Sequence, residues 1–211
     1  MPSSVLASDA LYAADEDGGF SDWVLPEGWI YRNGHLLSDG TVQSSVILAP
    51  FALPVGLVDY AVEAEVRLIR CDYAGGDMPV NTGGLGLVAR AEEAGAYWGG
   101  NSCQKDREHA AIWAVAELDD NSGFDRQAFV EQPLPVAGQW STYRIEVEGF
   151  DIRLFIDDMP VVQTMDVRFA GPGQVGLWSS LAQIEVRSFA VVPLDMRSGR
   201  PVASTPGPAT P

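Results

Sequence analysis

Along most of the chain apolar and polar residues alternate with a period of two, and helical spacing is nearly absent. Between Asp59 and Ile69, Tyr60, Val62, Ala64, Val66 and Leu68 alternate with Ala61, Glu63, Glu65, Arg67 and Ile69. Tyr143, Ile145 and Val147 alternate with Arg144, Glu146 and Glu148; Ile152, Leu154 and Ile156 alternate with Arg153, Phe155 and Asp157. Successive side chains of a strand point to opposite faces, so each segment predicts a strand with one core face and one wetter face. Turn residues separate the segments. Asn33-Gly34 divides Trp29–Arg32 from His35–Ser38, and Gly149-Phe150 divides Ser141–Glu148 from Asp151–Asp157. Asp158-Met159-Pro160 closes a hairpin into Val161–Met165. Asp120-Asn121-Ser122-Gly123 joins Ala111–Leu118 to Arg126–Glu131; Gly171-Pro172-Gly173 precedes Gln174–Trp178, and Leu181–Val192 is the last strand. The one helix-like patch, Ala91–Ala96, is too short to cover a sheet. About a dozen short strands with no helices to pack on them predict an all-β, two-sheet antiparallel sandwich over residues 4–195.

The ends and the charge bound the setting. The first 19 residues lack a basic start, and Asp9 interrupts their apolar stretch, so they do not read as a secretion leader. Residues 196–211 are rich in Pro, Ser, Thr, Ala and Gly, the composition of a linker or tail. The expectation is one domain of a longer multidomain chain, extracellular or at the cell surface. Lys and Arg number 13 against 29 Asp and Glu, a net charge of −16. A phosphate backbone would be repelled, which excludes general nucleic-acid binding. No apolar run reaches the roughly 20 residues of a spanning helix, so direct membrane insertion is not expected.

The strings DYAVEAEVRLI, GGLGLVARA, AYWGG, GQWSTYRIEVEGFDIRLFIDDMPVV, FAGPGQVGLWSS and IEVRSFAVV occur in that order. Together they resemble the laminin-G-like or concanavalin A-like jelly roll. The likeness is greatest to the bacterial branch related to family 16 glycoside hydrolase-like and 3-keto-disaccharide hydrolase domains. Trp140, Tyr143-Arg144, Gly149, Ile152 and Asp157, with Gly173 and Gly176-Leu177-Trp178, carry most of the match. The resemblance implies the fold and, in bacteria, an extracellular module joined to others by linkers. The E-x-D-x-E string of the catalytic relatives is absent; the nearest items are Glu63-Ala64-Glu65 and Glu146-Val147-Glu148.

Several constellations offer chemistry. Glu63 and Glu65 share a strand face with Cα atoms about 6.5–7 Å apart, a spacing that suits paired carboxylates in glycoside hydrolysis. The competing account is a solvated face with Arg67, Arg144 and Arg153 as cross-strand ion partners. His35 and His109 sit far apart, and neither a metal-binding His/Cys pattern nor a Gly-x-Ser-x-Gly elbow occurs. Loop carboxylates are plentiful: Asp15, Glu16, Asp17 and Asp22, then Asp119, Asp120, Asn121 and Asp125. Hard oxygen ligands of this kind suit a structural Ca2+, which the resemblance also implies, although an acidic surface that aids solubility accounts for them too.

Ala111–Leu118 is apolar on both faces. With Ile112, Ala114 and Ala116 inward, Trp113 and Val115 face outward, and an outward indole is a platform for a sugar ring. Trp98 and Tyr97 are further ring candidates, and Arg90, Asn101 and Glu117 could direct hydrogen bonds. The other account has Trp113 in the core or beneath the Gly100–Ala110 loop. The leading expectation is therefore a non-catalytic carbohydrate-binding module. Its alternatives are a hydrolase using Glu63 and Glu65, and a structural or adhesive module that contacts another surface protein.

The two cysteines complete the reading. Asp59–Arg70 ends at Cys71, Gly84–Ala91 runs back and Tyr97–Asn101 runs forward to just before Cys103. Two reversals within one sheet bring both cysteines to one rim, predicting a Cys71–Cys103 disulfide; the rival reading is two buried, reduced thiols, which a cytosolic protein would favour.

Overall fold

A computed structural model describes residues 10–71, 83–103, 108–116 and 123–194. Its fourteen strands are β1 (Tyr12–Asp15), β2 (Trp29–Arg32), β3 (His35–Asp39), β4 (Ser45–Leu48), β5 (Tyr60–Cys71), β6 (Gly83–Glu92) and β7 (Gly95–Cys103). They continue with β8 (His109–Ala116), β9 (Gly123–Glu131), β10 (Trp140–Glu148), β11 (Asp151–Ile156), β12 (Met159–Met165), β13 (Gln174–Ser180) and β14 (Ala182–Pro193). Among the described residues there is no helix. Ala91–Ala96 is the end of the β6–β7 hairpin, with its turn at Glu93-Ala94.

The strands form two antiparallel sheets. The first runs β12-β11-β10-β5-β14-β3-β2. On the side of β14 away from β5, β3 pairs with its first half and β1 with its second. The second sheet runs β4-β13-β6-β7-β8-β9. Alternation decides what lies between them. Val62, Ala64, Val66, Ile145, Leu154, Val186 and Phe189 of the first sheet pack with Leu85, Leu87, Ala110, Ile112, Val175 and Leu177 of the second. This is the sandwich that the alternating pattern predicts.

Turn chemistry fixes the register of the hairpins. At Asn33-Gly34 both residues have positive φ, 54° and 84°, as a two-residue turn between twisted strands requires. A side chain on Gly34 would also strike the backbone of Glu16. The β11–β12 turn falls at Asp157-Asp158, with φ of 51° and 63°, and Met159-Pro160 begin β12. This is one residue earlier than the proline suggested: Pro160 sits on an edge strand, where its missing N–H costs no ladder bond.

The Cys71–Cys103 disulfide is formed, with Cα atoms 6.2 Å apart. Its route differs from the one-sheet argument. β5 lies in the first sheet between β10 and β14, whereas β6 and β7 lie in the second. The bond therefore staples one sheet to the other.

Candidate functional site

The outer face of the second sheet is built from residues that the core pattern leaves over. Register across β13, β6, β7, β8 and β9 places Trp178, Gly86, Gly100, Ala111 and Phe129 in one cross-strand row. The row on one side holds Val88, Trp98, Trp113 and Arg126. The row on the other holds Ser180, Gly84, Ser102, His109 and Glu131. The bare glycines let an indole lie flat on the sheet. A Cβ on Gly86 would stand 2.7 Å from Trp178 Nε1, and one on Gly84 would strike the far edge of the same ring.

The rings run in a chain. Trp98 stacks on Trp178 with centroids 5.1 Å apart, and Trp113 meets Trp178 edge-on at 5.6 Å. His109 lies 6.1 Å from Trp113 and 5.9 Å from Phe129. The Arg126 guanidinium sits 4.0 Å over the Phe129 ring, a cation–π contact. Val88, Ala91, Ala96 and Val115 pack with Trp98 and Trp178 into a second apolar cluster separate from the core. Trp98 is 1% and Trp178 5% exposed, whereas Trp113 is half-buried and Phe129 is 52% exposed. The accessible part of this face is thus its β8–β9 end. There an open hollow of about 490 Å3 is lined by Glu108, Glu131, Gln132 and Pro133.

The structure separates the six ring and hydrogen-bonding residues singled out from sequence. Trp113 and Trp98 are direct cross-strand neighbours on the outer face. Tyr97 and Asn101, on the same strand as Trp98 but of opposite parity, turn inward. Tyr97 Oη donates to Asp166 Oδ1 at 3.0 Å and accepts from the Phe169 amide at 3.2 Å. Burial pushes the Tyr97 hydroxyl up to about 12. Asn101 Oδ1 accepts from the Tyr143 hydroxyl at 2.7 Å across the core. Arg90 is buried, with a positive φ of 52° at an irregularity between β6 and β7. Its guanidinium donates to the carbonyls of Val58, Gly149 and Phe169 at 2.7–3.1 Å. Those bonds tie three loops together at one end of the sandwich, away from the row of indoles. Glu117 lies outside the described residues.

Glu63 and Glu65 lie on the outer face of the first sheet. Arg144 Nη1 binds Glu63 at 3.1 Å; Arg187 and the Ser188 hydroxyl hold Glu65. The face continues through Glu146 and Glu148 with Arg153, and through Glu185 with Arg67 and His35. Burial alone would raise the Glu185 carboxyl, but hydrogen bonds from Arg67 and His35 outweigh it and hold the carboxyl low. Trp140 lies in this ladder under the Arg67 and Arg187 guanidinium groups, at 4.7 and 4.6 Å.

Of the calcium candidates, Asp119 and Asp120, with Asn121, lie outside the described residues. Asp15 ends β1 and Asp17 lies in the turn that follows, where Asp15 Oδ1 accepts the Asp17 amide at 3.0 Å. The neighbouring Glu16 reaches His35 at 3.4 Å, Asp22 accepts from Ser21, and Asp125 binds Arg168. Among the described residues no group of three or more His, Cys, Asp or Glu side chains is placed to hold a metal ion. The described residues form no helix long and apolar enough to cross a membrane.

Sequence reasoning missed Trp178 and Arg126 as neighbours of Trp113, missed Phe129 and Glu131 beside His109, and set His109 aside. Phe129 and Glu131 share parity within their strand. Only the β8–β9 register, with its irregularity at Ile112/Trp113, tells which parity faces outward.

No family model matches the chain, and no curated protein matches it. Solved structures do. A carbohydrate-binding module, CBM66 from Bacillus subtilis, superposes with a TM-score of 0.63 at 17% identity, covering 81% of this chain and 94% of that one. A Bacillus subtilis protein of unknown function with a galectin-like fold gives 0.63 at 16% identity, covering 88% and 96%. The exoplasmic/lumenal domain of VIP36, in a form bound to Ca2+ and Man3GlcNAc, gives 0.62 at 9% identity, covering 92% and 91%. At such identities the likeness is one of fold. The chain folds as a galectin-like or concanavalin A-like jelly roll, an architecture shared by many lectin-type domains.

Proposed function

We propose that this chain is a non-catalytic carbohydrate-binding module whose platform is the β8–β9 end of the second sheet's outer face. One observation carries the reading: Trp113 and Phe129 present accessible ring surface beside an open hollow, on a face with an apolar cluster and, among the described residues, no covering sheet. An apolar outer face of this kind marks an interaction site. Aromatic rings receive the C–H face of a sugar while nearby polar groups orient its hydroxyls. Here Arg126, His109, Glu131 and Gln132 are the polar groups at hand. The titles of several structural neighbours name carbohydrate recognition or binding, which supports the same ligand class. The Cys71–Cys103 bond fits an oxidising, extracellular setting. Glu63 and Glu65 are left in this reading as members of an ion ladder, each already engaged by arginine.

A glycan array followed by titration calorimetry tests the proposal. Binding to at least one glycan is expected, and Trp113→Ala or Phe129→Ala should weaken it by about 1–3 kcal/mol, as for a central aromatic anchor. Unchanged affinity in both variants, or no binding to any glycan, would remove this site.

A further inference from the structure

We infer that the end of the sandwich gathered around Arg90 is a second interaction surface, shaped to dock a cationic amphipathic segment of another protein. It stands apart from the carbohydrate reading, since it uses none of the platform residues. Exposed large apolar side chains concentrate at this end: Val55 and Val58 before β5, Phe150 after β10, Met165 at the end of β12 and Val167 just beyond it. Phe150 is 50%, Val167 65% and Met165 71% exposed. Single exposed apolar residues are ordinary, but a contiguous group marks an interaction site.

Hydrogen bonds make the group contiguous. Arg90 Nη2 donates to the carbonyls of Val58 and Gly149 at 2.9 and 2.7 Å, and Nη1 donates to that of Phe169 at 3.1 Å. The Asp59 carboxylate accepts the Gly149 amide at 2.7 Å, and the Phe150 carbonyl accepts the Asp166 amide at 3.0 Å. Met165 and Val167 flank Asp166, whose buried carboxylate is held by Tyr97 and Arg168. The loops before β5, after β10 and after β12 are thus fixed to one buried guanidinium before any partner arrives. Their carbonyls turn in to Arg90 while their apolar side chains stay in solvent. Such preorganisation lowers the entropy cost of binding.

Charge selects the occupant. Glu148 and Asp151 are direct cross-strand partners on either side of Gly149-Phe150, and Asp151 is also the ladder partner of Met165. Like charges held opposite one another repel, so a further cation beside them is favoured. Arg153 reaches Glu148, while Arg168 is engaged by Asp125 and Asp166. A second copy of this chain would bring the same carboxylates face to face, and an anionic lipid surface would be repelled by a chain of net charge −16. A segment with an apolar stripe flanked by lysine or arginine meets both requirements. Its stripe covers Phe150, Met165 and Val167, and its cations meet Glu148 and Asp151.

The test uses the whole chain and three labelled peptides of about 18 residues, long enough to form a helical stripe. One is a Leu/Lys amphipath, one a scrambled sequence of the same composition, and one a Leu/Glu amphipath. Fluorescence anisotropy is read at about 0.15 M salt, which screens long-range attraction. The Leu/Lys amphipath should bind at least about tenfold more tightly than its scrambled form, and the Leu/Glu peptide least tightly. Combining Phe150→Ser, Met165→Ser and Val167→Ser should reduce that preference to within about threefold. Combining Val24→Ser, Ile30→Ser and Met159→Ser, at exposed apolar positions elsewhere, should leave it intact. Equal affinity for the striped and scrambled peptides overturns the inference, and so does an equal loss in the two triple variants. Self-association, or binding to phosphatidylcholine vesicles, that disappears in the Phe150, Met165 and Val167 variant also overturns it, because the surface would then belong to a second copy or to lipid.

Discussion

The outer faces of the two sheets come from the same period-two alternation and carry opposite chemistry. On the first sheet, Glu63, Glu65, Glu146, Glu148 and Glu185 interleave with Arg67, Arg144, Arg153 and Arg187. On the second sheet the same positions hold Trp98, Trp178, Trp113, Val88 and Val115 over a floor of Gly84, Gly86 and Gly100. A salt-bridged face is complete in itself and needs only water beyond it. An apolar face with half-exposed rings at one end is complete only when something covers it. The contrast teaches that an outer face should be judged by whether its groups are already matched. Trp140 shows that a ring alone does not make a site: two guanidinium groups already lie over it.

If the second sheet's outer cluster contributes like a core, removing its largest member should cost as a core deletion does. Trp178→Ala is expected to destabilise by about 3–5 kcal/mol, because the glycine floor has no side chains to refill the space. Chemical denaturation measures it, and a loss under about 1 kcal/mol would show that the face is only a thin coat.

A middle effect falls where a loop crosses from the end of β12 to the edge of the second sheet. Asp166 is buried and accepts from Tyr97 and Arg168, and Arg168 also reaches Asp125 on β9. Burial would raise the Asp166 carboxyl, but the Arg168 and Tyr97 hydrogen bonds prevail and hold it below its ordinary value of 3.8. A depressed folded value means that the stabilisation is fully present above the unfolded value and is lost as pH falls through the folded one. Asp166→Asn should cost about 1–2 kcal/mol near neutral pH. The deficit should shrink as pH drops below about 4. A deficit that stays constant down to pH 2 would assign the effect to packing instead.

The smallest effect belongs to the charged face. Glu63 and Arg144 are directly opposed across β5 and β10, and both are partly exposed. A double-mutant cycle through Glu63→Gln and Arg144→Gln should give a coupling of about 0.2–1 kcal/mol, falling with added salt. A coupling above about 2 kcal/mol would make this face a stronger determinant of stability than its exposure allows.

Much of the fold is legible one strand at a time. Tyr60 to Leu68 and Tyr143 to Val147 announce their inward residues by alternation alone, and Asn33-Gly34 announces its turn. The charged ladder is equally readable, since Glu and Arg alternate within each strand. The candidate site is less so. Tyr97, Trp98 and Asn101 are close in sequence, yet Trp98 faces outward while the other two face the core. β7 is buried on both faces, so its apolar run carries no period from which to read parity.

The sequence by itself determined the class of fold, the positions of most hairpins and the matched charges of one face. These follow from local steric preferences and from a two-residue repeat that any extended chain obeys. Tertiary structure alone decided which sheet each strand joined. It placed β5 and β7 in different sheets so that the disulfide links them, and set Phe129 and Glu131 beside His109. Strand order and register depend on contacts between residues far apart in the chain. No local pattern encodes those contacts, because a one-residue slip in register exchanges a strand's core face for its outer one.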